Sequence, residues 1–322
     1  MNPGSSRPSL SVVVPTHDTL ELTVRCLHCL APWLEDGAEV ILVDDGSRDG
    51  TADVVQARFP AVRVLRSVEA RGFTAAANDG LAAARGELLL LLNSDTEVDS
   101  ETLGRLYAAF DSDPKLGAAG AVLTNPDGSP QWSGGPEPGH LWLFLQASGL
   151  GGALHRLPGY RFLRPLDAEA RGPVDWVTGA AIAIRREAWA AVGPLDDRYR
   201  FYAQDLDFCL SLRDAGWHVA LAPGFRVMHV GGATIAKRSG AAQSANPALL
   251  WADLLTWGEK RHGARWAHAA RRRMRFGSAI RLLARRITRL TLPRGQRPAW
   301  DRDTAVFRSA REQLRSLREA RV

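Results

Sequence analysis

The stretch Glu87-Leu88-Leu89-Leu90-Leu91-Leu92-Asn93-Ser94-Asp95 decides the fold. Five leucines are too few to cross a bilayer. Set between Gly86 and a polar exit, they suit a strand buried on both faces of a parallel sheet. Ligands of open α/β sheets gather beyond the carboxyl ends of the strands, so Asn93 and Asp95 stand where a sugar, a phosphate or a metal would meet them. An amide and a carboxylate two residues apart can share a hard cation or a ribose. The structural alternative is a strand-to-helix turn with Asp95 or Ser100 as its cap.

Working back toward the N-terminus, Leu10 to Val14 reads as a first strand, stopped by Pro15 and followed by the polar loop Thr16-His17-Asp18. A helix from about Leu20 to Leu34 leads to the strand Val40 to Val43, which ends in Asp44-Asp45-Gly46-Ser47. Carboxylates again stand at a strand's carboxyl end. Thr51 is placed to cap a helix running to about Arg58, Val62 to Leu65 is a third strand, and Arg71-Gly72-Phe73 opens an alanine-rich helix over Thr74 to Ala84. This β-α-β-α-β-α-β order predicts an α/β fold with a mostly parallel sheet flanked by helices. No Gly-x-Gly-x-x-Gly follows the first strand and no Gly-x-x-x-x-Gly-Lys-Ser/Thr occurs anywhere, so dinucleotide and P-loop readings lose their main support.

Working forward, a helix near Glu101 to Phe110 and a strand over Ala118 to Leu123 end in the turn Asn125-Pro126-Asp127-Gly128. The Gly- and Pro-rich region Trp132 to Pro173 reads as an irregular lid or binding loop, whose aromatics, Tyr160 among them, stack on a sugar or pack beneath it. Trp176 to Ala180 precedes a short apolar strand. Leu206, Cys209, Leu210 and Arg213 then predict a helix starting at Gln204 or Asp205. Asp205 reads either as a carboxylate stabilised by the helix N-terminus or as a general base beside an acceptor hydroxyl. A strand at Val219 to Leu221 precedes the run Arg226 to Gly232, which carries His229 to a glycine-bounded loop. Imidazole and carboxylate from two strand ends suit one Mn²⁺ or Mg²⁺.

Composition bounds the class. The 322 residues, 45% hydrophobic, allow one large domain with an appendage. The net charge of +6 lies in one segment: twelve arginines fall between Arg261 and Arg297, with no acid from Lys260 to Trp300, and without them 29 basic residues face 35 acidic ones. Cys26 and Cys29 sit on the apolar face of a helical pattern and read as reduced core residues. With neither a signal peptide nor a membrane-crossing run, a cytoplasmic location is expected. From Arg271 on, Phe276, Ile280, Leu283, Ile287 and Leu290 repeat at helical spacing among arginines. Two readings stand side by side: docking on the protein's own body, or lying on the inner face of an anionic membrane. No recognised nucleic-acid motif accompanies the arginines.

Taken in order, Pro15-Thr16-His17, Asp44 to Ser47, Arg71 to Phe73, Asn93-Ser94-Asp95, Trp176 to Ala180, Asp205 to Cys209 and His229 to Gly232 resemble inverting glycosyltransferases of family 2, closest to rhamnosyltransferase-like members. The resemblance implies a GT-A fold over 10–240, with a nucleotide-binding half at 10–125 and an acceptor half at 126–240. A tail at 1–9 precedes it and a basic helical extension at 241–322 follows. It further implies that Pro15, Thr16, Asp45, Arg71, Asn93 and Asp95 bind a dTDP- or UDP-linked sugar, and that Asp95 and His229 hold a divalent Mg²⁺ or Mn²⁺. Asp205 would be the catalytic base, with Trp176, Thr178, Gly179, Gln204 and Asp207 around a glycan or lipid-linked acceptor. Two departures stand out. Asn93 occupies the first position of the family's frequent Asp-x-Asp, and Gln204 stands where an acid often precedes the base. These departures motivate a non-catalytic sugar-binding alternative. A sugar-phosphate nucleotidyltransferase would ordinarily show a glycine-rich, basic N-terminal loop, which is absent.

Overall fold

The computed structural model describes residues 10–99, 101–154, 174–231 and 246–316. The N-terminal tail, Ser100, Tyr160 and Gly232 lie outside the described residues. The chain divides into two compact units. Among described residues, one holds 10–136, 174–197 and 204–231, and the other holds 137–154, 198–203 and 246–316.

The first unit is built on an eight-stranded sheet in the order β3-β2-β1-β4-β9-β6-β10-β5. Its strands are β1 (Leu10–Thr16), β2 (Glu39–Asp44), β3 (Arg63–Arg66), β4 (Leu88–Leu92), β5 (Thr96–Val98), β6 (Leu116–Thr124), β9 (Ala181–Arg185) and β10 (His218–His229). A separate pair joins β7 (Gly134–Gly135) to β8 (Trp176–Val177). The pairs β1–β2, β2–β3, β1–β4 and β6–β10 are parallel, β9 is inserted antiparallel between β4 and β6, and β5 is an antiparallel edge strand on β10.

The leucine strand is uniform because both of its faces are buried. Leu88, Leu90 and Leu92 pack with Val12, Val14 and Leu42 toward Leu27, Leu30 and Trp33 of α1 (Leu20–Glu35). On the opposite face, Leu89 and Leu91 pack with Val13, Ile41 and Val43 against Ala76, Ala77 and Leu81 of α3 (Phe73–Ala83). Cys26, on the buried stripe of α1, has its thiol pushed up to about 12 by burial, as befits an inert reduced core residue.

Several local expectations change. Thr51 is the first residue inside α2 (Thr51–Arg58) and not its cap. Gly50 takes the cap position, and Asp49 Oδ1 receives the Thr51 N–H at 3.2 Å and its hydroxyl at 2.5 Å. Val219–Leu221 and Arg226–His229 belong to one strand, whose register with β6 (Leu116–Thr124) breaks between Ala222 and Arg226, where Pro223 cannot donate to the ladder. Asp95 leads into the short β5 and does not cap a helix; α4 (Thr102–Ser112) follows. The other helices of this unit are α7 (Arg186–Val192) and α8 (Gln204–Asp214).

The second unit is helical. Part of the region expected to be irregular forms α5 (His140–Ser148), an apolar run free of Gly and Pro that ends at left-handed Gly149, and the single turn α6 (Gly151–Leu154). With them are α9 (Pro247–His262), α10 (Ala264–Thr291) and α11 (Arg297–Ser316). Gly277 brings α10 against α5, since a Cβ there would meet Phe144 O at 2.8 Å. Arg281 and Arg285 of α10 lie over the Phe307 and Trp300 rings of α11, at 4.2 and 3.8 Å. Asp253, buried in α9, accepts the backbone N–H groups of Arg200, Phe201 and Tyr202 at 3.3, 3.0 and 2.9 Å. A lone carboxylate on the buried face of an apolar helix pattern was its signal in the sequence.

Candidate active site

Strand direction brings the singled-out residues of the first unit to one edge. β1, β2 and β4 are parallel and end at Thr16, Asp44 and Leu92, and antiparallel β9 begins beside Leu92. Through β6, β10 ends at the same edge in His229, opposite Thr96 at the start of β5. Order reverses at β1, with β2 on one side and β4 on the other, which is where an open α/β sheet leaves a crevice.

Near β1 and β2 most of the polar groups are satisfied by the protein itself, although Asp44 Oδ2 is buried without a hydrogen-bond partner, 3.8 Å from Arg66 Nε. The Thr16 hydroxyl lies in a buried cluster, 2.9 Å from Thr19 Oγ1 and 2.8 Å from Thr23 Oγ1, and Thr19 is 3.1 Å from Ser94 Oγ. Pro15 is buried within β1. Asp45 accepts the backbone N–H of Arg71 on Oδ1 at 2.7 Å and that of Gly72 on Oδ2 at 2.8 Å, tying the end of β2 to the start of α3. This closeness requires glycine at Gly46, where φ is 69° and a Cβ would lie 2.8 Å from Ala70 N. The Arg71 side chain reaches out to Asp79 and Ser67.

At the junction of β4, β5 and β10 the arrangement differs. Gln131 Nε2 donates to Asn125 Oδ1 at 2.8 Å and to the His229 carbonyl at 3.2 Å, which turns Gln131 Oε1 toward His229 Nδ1, 2.6 Å away. Nδ1 therefore carries the hydrogen. The Nε2 lone pair points at Asp95 Oδ1, 3.2 Å away, with Asn93 Nδ2 at 3.4 Å. Nε2 thus accepts from Asn93 Nδ2 and has the Asp95 carboxylate as its other close neighbour, a nitrogen and an oxygen between which a cation could be held. Asn93 Oδ1 is buried with no hydrogen-bond partner. No group of three His, Cys, Asp or Glu side chains forms among the described residues. Asp95 Oδ1 and His229 Nε2 are the pair that could share a Mg²⁺ or Mn²⁺, with the Asn93 side chain beside them through Nδ2. Gln131, which no motif in the sequence marks, orients the histidine as outer partners of metal-bound imidazoles do.

The third group lies one step along the edge. The Asn93 N–H donates to Ala180 O at 2.9 Å, and the N–H of neighbouring Gly179 donates to Asp205 Oδ2 at 2.8 Å. The Leu206 N–H donates to Asp205 Oδ1 at 2.9 Å. Burial raises the Asp205 carboxyl above its ordinary value, opposed by these backbone hydrogen bonds. The outcome is a carboxylate held in place and made more basic than one in water. Gln204 and Asp207 are buried at the start of α8. The Thr178 N–H donates to Ser133 O at 3.0 Å, and Trp176 Nε1 to Pro136 O at 3.1 Å. The edge thus brings together Asn93, Asp95 and His229, and links them through 178–180 to Asp205.

A curled, mostly parallel sheet with this edge defines a GT-A glycosyltransferase. Residues 11–183 match the model of glycosyl transferase family 2. The chain is 31% identical over 235 residues to N-acetylglucosaminyl-diphospho-decaprenol L-rhamnosyltransferase of Mycobacterium tuberculosis, covering 68% of this chain and 75% of that protein. It is 28% identical over 267 residues to the O-antigen biosynthesis protein RfbC of Myxococcus xanthus, covering 79% of this chain and 20% of the larger protein. Among solved structures, a mannosyltransferase of Pyrobaculum calidifontis in complex with GDP-Man and Mn²⁺ shares the fold, with a TM-score of 0.58, 17% identity, and coverage of 97% and 86% of the two chains. GalNAc-T7 with UDP, GalNAc and Mn²⁺ does so at a TM-score of 0.51 and 18% identity, over 70% of this chain and 44% of that one. The protein belongs to glycosyl transferase family 2 and is a glycosyltransferase of the inverting type.

Proposed function

We propose that the enzyme moves a sugar, rhamnose in the first instance, from a dTDP- or UDP-linked donor to a lipid-linked or glycan acceptor in the building of a cell-envelope polysaccharide. The observation that carries the reading is the junction of Asn93, Asp95 and His229, connected through Thr178–Ala180 to the basic carboxylate of Asp205. The likeness to a rhamnosyltransferase acting on a decaprenyl-linked N-acetylglucosamine supports the choice of sugar and acceptor.

In this reading the donor's nucleoside lies over the ends of β1 and β2, against Pro15, Thr16, Asp45 and Arg71. With its hydroxyl already engaged, Thr16 acts through the backbone. Asp95 and His229 would hold Mn²⁺ or Mg²⁺, with Asn93 as a polar neighbour, and the presence of Mn²⁺ in two proteins of the same fold is consistent with that assignment. When bound, the ion neutralises the donor diphosphate. Asp205 accepts the proton of the acceptor hydroxyl as its oxygen bonds to the anomeric carbon from the face opposite the leaving nucleoside diphosphate, so the configuration inverts. Trp176, Thr178, Gly179 and Gln204 line the acceptor side, and Asp207 supports α8. Gln204 leaves Asp205 without an adjacent negative charge, so burial is the main cause of its raised basicity. The test is product formation from dTDP-rhamnose and UDP-sugars with a short-chain polyprenyl-diphosphate acceptor, with and without Mn²⁺. Hydrolysis or transfer that is indifferent to both metal and donor base would contradict the reading.

A further inference from the structure

Most of the apolar stripe of α10 is exposed; Ile280 alone of the five is half-buried. The helix packs through Ala270, Met274, Gly277 and Ser278, all buried, whereas Phe276, Leu283, Ile287 and Leu290 are 64, 59, 58 and 73% exposed. At 100° per residue these four fall within a narrow sector opposite the packed face. Phe276 is propped by Phe144, whose ring stacks on it at 6.1 Å between centroids. One turn earlier on the same face of α5, Leu141 is 53% exposed and widens the patch. Exposed arginines border the sector: Arg272 lies within it, with Arg273 on one flank and Arg286 on the other. The helix is 28 residues long, about 42 Å. No helix among the described residues is long and apolar enough to cross a membrane.

We propose that this face of α10 is a docking surface for an anionic lipid bilayer, with the helix lying in the interface, apolar side chains down and arginines among the headgroup phosphates. Charge complementarity selects the occupant. No acidic residue lies between 260 and 300, so a second copy laid on this face in a symmetric pairing would bring two arginine-bearing faces together with no acid of that stretch to neutralise them. A bilayer rich in phosphate headgroups meets both the charge and the apolar stripe. The inference concerns the helical unit alone and stands independently of the donor and acceptor assigned above.

The experiment is co-sedimentation of the full chain with phosphatidylcholine vesicles and with vesicles containing phosphatidylglycerol, at low and high salt. It compares wild type with Leu283→Glu/Ile287→Glu and with Arg272→Glu/Arg273→Glu. All four positions are exposed, and circular dichroism checks that the fold is kept. Expected results are salt-sensitive binding to the anionic vesicles and a loss of about tenfold or more in partitioning for each double variant. Transfer to a water-soluble acceptor should be unchanged in both variants, which separates failure of docking from failure of the enzymatic reading. Three results would overturn the proposal: no binding of wild type to anionic vesicles at low salt, binding that both variants retain, or a dimer in analytical ultracentrifugation that the variants dissolve.

Discussion

Two strand ends on one sheet edge carry the same kind of residue and treat it in opposite ways. At β2, each oxygen of Asp45 receives a backbone N–H, and at β1 the Thr16 hydroxyl closes a cluster with Thr19 and Thr23. At β4 and β10, Asp95 faces a histidine lone pair and Asn93 Oδ1 has no partner at all. The first region uses polarity to hold loops in place. The second sets an imidazole nitrogen against a carboxylate, the pairing on which the proposed cation site rests. A carboxylate at a strand end is therefore not a metal ligand by virtue of its position; what its oxygens face decides.

Substitutions separate the two regions. The largest effect is expected at Asp205, where Asn should lower kcat by about 10²–10⁴-fold while leaving the donor Kd unchanged, measured by turnover and calorimetry. An equal loss of donor affinity would place Asp205 on the donor side. Asp45→Ala comes next and tests the satisfied end. It strands the N–H groups of Arg71 and Gly72, at a cost of about 1–3 kcal/mol each, and should lower Tm with or without metal. Gln131→Leu removes the partner that fixes His229 and should weaken Mn²⁺ binding about 10–100-fold in calorimetry, with little change in Tm. The smallest effect is in pH dependence. Because burial raises the Asp205 carboxyl and the base works only when ionised, kcat/KM should fall as pH drops through a value above that of a free carboxylate. A limb at or below the ordinary carboxylate value would mean the backbone hydrogen bonds outweigh burial.

Legibility followed the same division. The leucine strand, the alternating helices and the carboxyl-end positions of Asn93, Asp95 and His229 could be read from the sequence, because burial on both faces demands uniform apolar runs. Hydrogen-bond partners could not. Nothing in the spacing of Gln131 tells that it meets His229, 98 positions away, nor that Asp45 closes on the backbone of Arg71. The amphipathic period of 276–290 was visible too, but it does not say which face turns inward. That was settled by Ala270, Gly277 and Ser278, whose small side chains let α10 approach its neighbours closely around the buried Met274, while Phe276, Leu283, Ile287 and Leu290 turned outward.

The most direct test of the central proposal, that Asp95 and His229 hold a cation whereas Asp45 holds backbone, is thermal unfolding of wild type and Asp95→Asn with and without Mn²⁺ and donor nucleotide. Asn at position 95 can donate to the His229 lone pair, so the metal-free variant should be at least as stable as wild type while losing the Mn²⁺-dependent rise in Tm. A variant less stable than wild type without metal, or one that keeps the full Mn²⁺ response, would show that Asp95 is a structural carboxylate like Asp45 and contradict the account.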